Sequence, residues 1–383
     1  MESLDIPFHP IRPDFDPTDE QLVRQCLNLK AGPEVLVRTL LLPALENTYS
    51  DLFAAVEGAD LMIAGEAVFA APIVAEKLGL PWVSMILSPG SYMSSHDPPV
   101  LANLPWLPYF RICGWRFHRA IFRLLGLASA HLWKPVRQLR CESGLRPDCD
   151  PFFRDKFSPQ LVLALFAREL GQPQPDWPAR TVQSGFVFYD RPVMEADNLV
   201  ELDEFLAAGD PPIVFTHGSV FSHAPGNFYE AGMEAARRIG YRTLLLGWKR
   251  HAEKIAPDVL SLPYAPFSRV FPRAAAIVHP AGIGTLAQAL LACRPSLCVP
   301  FCWDQPDNAA RLERTGAGLC LPRKFYSVTT AALKLEQLLG ATSFADRAAE
   351  IGSRMSRESG LAAACDAIET LAVPTSAADL SYP

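Results

Sequence analysis

The chain predicts an α/β protein of two doubly wound, Rossmann-like domains facing one another across a cleft. Three observations carry that expectation. Its 383 residues exceed the roughly 250 to 300 at which a single core stops growing. Short apolar runs alternate with helical stretches in both halves, which points to parallel sheets covered by helices. Between the halves, residues 171 to 196 carry Pro173, Pro175, Pro178 and Pro192 with little periodicity, so the linker is expected near 190 to 200. The expected domains are thus 1–190 and 200–372.

The elements follow in order. The chain opens on IPFHPIRPDFDPTDEQ, an extended acidic stretch rich in proline. Glu34 to Val56 reads as a helix, Asp60 to Ala64 as a strand, Ala67 to Leu78 as a helix and Trp82 to Leu87 as a strand. The turn AGEAVF puts Glu66 at a strand end, and SSHDPP puts His96 and Asp97 on a loop; both loops are expected to face the cleft. Leu161 to Phe166 is the next strand. In the second half, Pro212 to Thr216, Thr243 to Leu246, Ala275 to Val278 and Ser296 to Pro300 read as strands. Val328 to Ala372 reads as helical apart from a break near Gly340 to Ser343, with Leu361 to Leu371 available to pack back on the first domain.

Residues 278 to 308, VHPAGIGTLAQALLACRPSLCVPFCWDQPDN, carry the most chemistry. Gly282 and Gly284 form a tight turn whose backbone can approach a ligand, and Thr285 to Cys293 reads as the helix that follows. Exposed amides at such a helix start, aided by the helix dipole, suit a diphosphate. Beyond the next strand, Asp304 and Gln305 offer a carboxylate and an amide to a sugar's vicinal hydroxyls. A two-glycine turn also occurs between strand and helix with no phosphate present. His217, Gly218 and Ser219 follow an earlier strand and read equally as a phosphate-facing turn or as an ordinary strand-to-helix connection.

Residues 278 to 318 resemble the donor-site signature of GT-B glycosyltransferases of the UDP-glycosyltransferase superfamily. They are most similar to bacterial antibiotic glycosyltransferases and to the rhamnosyltransferase branch of rhamnolipid synthesis. FTHGSVFS at 215 to 222, YAPFSRVFPRAAAIVHPAGIGT at 264 to 285 and LSPGSYMSSHDPP at 87 to 99 extend the likeness over nearly the whole chain. The resemblance implies a GT-B fold and an inverting, metal-independent hexosyl or deoxyhexosyl transfer from a UDP- or dTDP-sugar to a hydroxyl of a small-molecule or lipid acceptor. It implies no cofactor beyond that co-substrate. It places Gly282, Ile283, Gly284 and Thr285 on the diphosphate, Gly218 and Ser219 beside it, Tyr264 and Phe267 on the nucleobase, and Asp304 and Gln305 on the sugar. Two departures stand out: His279-Pro280 replaces the His that usually precedes the glycines, so that His279 is expected to substitute in part, and Gln288 stands where relatives carry a ribose-binding Glu.

By the same resemblance, Ile6 to Ile11 corresponds to a segment after the first βαβ unit, so that unit, and the His or Asp base it supplies, are expected to be absent. Glu66, His96 and Asp97 are then the candidates for the base, His96 with Asp97 also reading as organisers of a Pro-rich turn. The alternative function is a catalytically impaired nucleotide-sugar-binding fragment or auxiliary protein; a nucleotide-sugar epimerase lacks support on the acceptor side.

Composition bounds the rest. A formal charge of −6 gives no reason to expect nucleic acid. Nine singly scattered cysteines read as reduced thiols, and the first ten residues have no secretory pattern. No run approaches the roughly 18 apolar residues of a membrane span, and a cytoplasmic location is expected. Against the acidic total, Pro98 to Cys141 holds seven Lys or Arg residues and no Asp or Glu, interleaved with Trp106, Tyr109, Phe110, Trp115, Phe117, Phe122 and Trp133. That makeup fits either a helix pair with a solvated basic face or a peripheral contact with an anionic membrane.

Overall fold

The computed structural model describes residues 6–14, 19–190, 196–218, 226–249 and 251–372. The first domain is built on a four-stranded sheet in the order β1-β2-β3-β4: Met62–Gly65, Trp82–Ile86, Leu161–Ala164 and Thr181–Gln183, all parallel. Every residue of β3 is buried, as a strand covered on both faces must be. Between β2 and β3 the chain makes a long helical excursion through Gly114–Ser129 and Lys134–Glu142, residues of which line a large cavity of the first domain.

The second domain has a seven-stranded sheet in the order β11-β10-β9-β5-β6-β8-β7. Its strands are β5 Ile213–Thr216, β6 Thr243–Leu246, β7 Glu253–Ala256, β8 Val259–Leu262, β9 Ala276–His279, β10 Ser296–Cys298 and β11 Gly318–Cys320. Only β7 runs antiparallel, against β8. From β5 the order runs one way to β6 and β8, and from its neighbour β9 the other way to β10 and β11. The carboxyl ends of β5 and β9 therefore flank the point where the strand order reverses, where an open α/β sheet leaves its crevice.

Three expectations need correction. The helix read over Glu34 to Val56 is interrupted: a π-helical turn, Leu36–Leu41, leads into a break, and the α-helix resumes at Leu45–Ala55. Pro43 lies in that break and has no N–H to continue the ladder. The second half of the 190 to 200 window is helical, since the helix Ala196–Ala207 begins inside it; residues 191 to 195 fall outside the described residues. The strands β4, β7, β8 and β11 were not anticipated; each has three or four residues, too few to display a period.

The two domains share apolar interior. One cluster joins Ile86, Tyr92 and Phe166 of the first to Ala281, Leu286, Leu312, Ile351 and Met355 of the second. The final helix, Gly360–Ala372, leaves the second domain and sets Ala364, Ala367, Ile368 and Leu371 against Val83, Leu161 and Leu163 of the first sheet.

Candidate functional site

At the reversal point β9 ends in His279, and the chain turns through Pro280, Ala281 and Gly282 into the helix Ile283–Leu291. Ala281 has φ 71°, a left-handed conformation that costs a residue with a Cβ about 1 kcal/mol or more. It is held there from both sides: its N–H donates to His279 Nδ1 at 3.1 Å, and its carbonyl accepts from Asn308 Nδ2 at 3.1 Å. The helix start beyond it has no side-chain cap, and a Cβ added to Gly282 or Gly284 would meet nothing within 4 Å. The first amides of this helix thus open on free space.

The end of β5 converges on the same space. Gly218 has φ 72°, and a Cβ there would lie 3.7 Å from Thr285 Oγ1. Ser219 lies outside the described residues. On the helix, Gln288 is half-buried, one turn in from the open start. Tyr264 is 39% exposed at the surface. Phe267 stacks on Phe271 at 4.3 Å and 14° and packs on the core with Leu246 and Val270, so the expected second platform belongs to the interior.

His279 also differs from expectation. Its side chain is wholly buried, with Nδ1 taken by the Ala281 amide and Nε2 3.9 Å from Cys298 Sγ. Burial pushes the imidazole down to about 3, so it is neutral and faces the sheet instead of a phosphate. Its work is to hold the turn. His217 is likewise buried, pushed down to about 3 by burial and then by the charge of Arg323, with Phe301 edge-on at 4.4 Å. The Arg323 guanidinium lies over that Phe301 ring at 4.1 Å, with no carboxylate partner among the described residues. Sequence reading missed this cation, since a single Arg after a short strand carries no signal.

Asp304 and Gln305 part company. Gln305 is buried, and its Oε1 accepts from the Phe301 and Cys302 amides at 2.8 and 3.1 Å, so the oxygen expected to meet a sugar closes the loop instead. Asp304 stays partly open, with Oδ2 accepting from Asn308 Nδ2 at 2.7 Å. Burial raises its carboxyl to about 6 against the opposing Asn308 bond, and the charges of Glu66 and Asp307 add to the rise. Glu66 therefore acts on Asp304 through its charge. It follows β1, where Ser91 Oγ donates to Oε1 at 2.7 Å and the buried Lys156 donates to Oε2 at 3.2 Å.

Asp97 is removed from the list of bases. Arg311, Arg111 and Arg314 all bind its carboxylate, leaving no lone pair directed at a substrate. His96 does not organise its turn; Ser94 Oγ does, accepting from the His96 and Asp97 amides. The His96 ring is exposed, lies on Trp115 at 5.4 Å and 13°, and lines a cavity of about 1310 Å³ with Tyr92, Phe122, Arg123 and Trp177. Among the described residues no group of three or more His, Cys, Asp or Glu side chains is arranged to hold a metal ion.

Comparison with known proteins identifies the family. Residues 247–366 match the family model "Erythromycin biosynthesis protein CIII-like, C-terminal domain". The chain is 34% identical over 218 residues to O-mycaminosyltylonolide 6-deoxyallosyltransferase of Streptomyces fradiae, covering 53% of this chain and 51% of that protein. It is 30% identical over 293 residues to Glycosyltransferase GtfC of Amycolatopsis orientalis, covering 74% and 68%. The match thus spans about half the length of the first relative and about two thirds of the second. Among solved structures, glycosyltransferase VinC in complex with DTDP superposes with a TM-score of 0.62 at 20% identity, over 94% of this chain and 86% of that one. The two α/β domains, the match to the C-terminal domain model and the extent of the GtfC match together establish that the chain belongs to the GT-B glycosyltransferases of the UDP-glycosyltransferase superfamily, in the branch of the antibiotic-modifying enzymes.

Proposed function

We propose that the protein transfers a hexose or deoxyhexose from a UDP- or dTDP-sugar to an acceptor hydroxyl, with inversion. The open, uncapped helix start at Gly282–Thr285, facing Gly218 where the strand order reverses, carries this reading. In the transfer the acceptor oxygen attacks the anomeric carbon, the bond to the diphosphate oxygen breaks, and its electron pair leaves with the diphosphate. Amides and the helix dipole stabilise that charge as it develops. The relatives named as sugar transferases and the VinC complex with DTDP support the donor class.

The proton of the acceptor hydroxyl needs a base, and Glu66 is best placed. It stands at the carboxyl end of β1, with Ser91 and Lys156 fixing its orientation. Glu66→Gln is expected to lower transfer by about 100-fold or more while UDP or dTDP binding stays the same. Transfer that survives the substitution would remove Glu66 from the mechanism. Incubation with labelled UDP- and dTDP-sugars tests the function itself: no saturable binding of either class would refute the donor site, and binding without transfer to any acceptor would favour an auxiliary role.

The finer reading is an amphiphilic or lipid acceptor delivered at a membrane surface. Tyr109, Ile112, Leu124 and Leu127 are exposed beside Arg116, Arg119 and Arg123 in the helical excursion between β2 and β3. Among the described residues no helix is long and apolar enough to cross a membrane. A peripheral contact would instead sum apolar burial and attraction to anionic lipid. Flotation with anionic vesicles at low salt is expected to carry the protein up the gradient, and a protein left at the bottom would discard the membrane contact.

A further inference from the structure

We propose that Arg311 is a positioning residue, which locks the acceptor-side loop 88–100 onto the helix that follows Asp304 and so sets where Glu66 stands relative to the donor pocket. The catalytic half of this proposal rests on the function proposed above; the lock itself does not.

Arg311 is the largest fully buried side chain, 1% exposed, on the second-domain helix Gln305–Thr315. Its Nε donates to Asp307 Oδ2, one turn earlier on the same helix, at 2.5 Å. Its Nη1 crosses to the first domain, where it binds Asp97 Oδ2 and donates to the Leu170 carbonyl at 3.0 Å. The other oxygen of Asp307 also crosses, accepting from the Val100 amide at 2.9 Å. Gly90 completes the fit: a Cβ there would lie 2.6 Å from Asp307 Oδ2, so only glycine lets the turn Pro89–Tyr92 close on the helix. That turn carries Ser91, whose hydroxyl holds Glu66. The helix that follows Asp304 is thus joined through Asp307 and Arg311 to Asp97 and Val100 of the loop, and the same loop, packed on Asp307 at Gly90, carries the Ser91 that holds Glu66.

The choice of groups argues for positioning over stability. A buried ion pair contributes little net stability over apolar residues of the same volume, but its loss leaves an unpaired charge, so the contact is either made or broken. The guanidinium fork aims three bonds at fixed angles, two of them across the domain boundary. Arg111 and Arg314 reach the remaining Asp97 oxygen at 3.0 and 3.3 Å, but both are about 40% exposed and screened by water.

The test uses the full chain. Asp97→Asn removes the charge from the Asp97 contact and leaves the Arg311 bonds to Asp307 and to the Leu170 carbonyl in place. Hydrogen exchange of the amides in 88–100 is expected to speed up about tenfold or more, with UDP and dTDP affinity changed by less than about twofold and transfer kcat lowered about tenfold at an unaltered donor KM. Arg311→Lys keeps the charge without the fork and should show an intermediate loss. Arg314→Gln, at a side chain 41% exposed, should leave the exchange of 88–100 unchanged. Unaltered exchange in Asp97→Asn, or equal loosening by Arg314→Gln, would overturn the lock. A loosened loop with undiminished kcat would overturn the positioning role. If neither nucleotide binds the unaltered protein, the donor-site reading fails, and the exchange measurements alone still decide whether Arg311 holds the loop.

Discussion

Ala281 concentrates the geometry of the turn after β9 in one residue. Its positive φ aims the following amides at open space, and the His279 and Asn308 bonds hold it there. Ala281→Gly should relieve the strain and stabilise the protein by about 1 kcal/mol in a denaturant titration, whereas His279→Ala should cost about 1 to 3 kcal/mol by leaving a buried N–H unmatched. Loss of donor binding in His279→Ala without loss of stability would instead restore this His to the ligand. Asp304 makes the pH prediction. Its carboxyl sits near 6 in the folded protein, against about 4 in an unfolded chain, so the folded state holds its proton more tightly. Its contribution to stability is therefore greatest below about pH 4 and is lost as pH rises through about 6. Sugar hydroxyls donate best to the ionised form, so donor affinity should weaken as pH falls through about 6, and Asp304→Asn should flatten that profile in calorimetric titrations. The residue types of the pocket were legible in the sequence, but their directions were not. His279, Gln305 and Phe267 have the right chemistry for a ligand and point into the protein, which only the packing of neighbouring strands decides.

The helix Ile283–Leu291 separates ligand from structure at the scale of an element. Gly284→Asp adds a Cβ to open space, so the melting temperature should barely change, yet it puts a carboxylate where the diphosphate is expected. UDP or dTDP affinity should fall about tenfold or more, and unchanged affinity would move the diphosphate elsewhere. This strand, turn and helix could be read from the chain because a buried β-run, two glycines and an amphipathic stretch agree with one another. The strands β7 and β11 could not. The first is an edge strand with mixed exposure, and the second has three residues, too few to show a period, placed by pairing with β10. The π-turn before Pro43 was hidden because an apolar period continues through it.

At the scale of the molecule, the last helix is a component of the first domain's core. Ile368→Asp would place a charge against Val83 and Leu163, and is expected to cost about 2 to 4 kcal/mol and to make the first domain the earlier target of limited proteolysis. Equal cleavage of both domains would show that the helix is dispensable there. The return of the chain to its starting domain also bears on recombination between relatives. A chimaera joined once, near residue 195, would bring a foreign final helix onto the native first sheet and a foreign helix against the loop at 88–100. Crossovers that exchange donor preference cleanly would need a second junction ahead of Gly360, and a matched Asp97 and Arg311. In this protein the portable module is discontinuous in sequence, so inheritance of sugar specificity by simple shuffling of halves is constrained by one short helix.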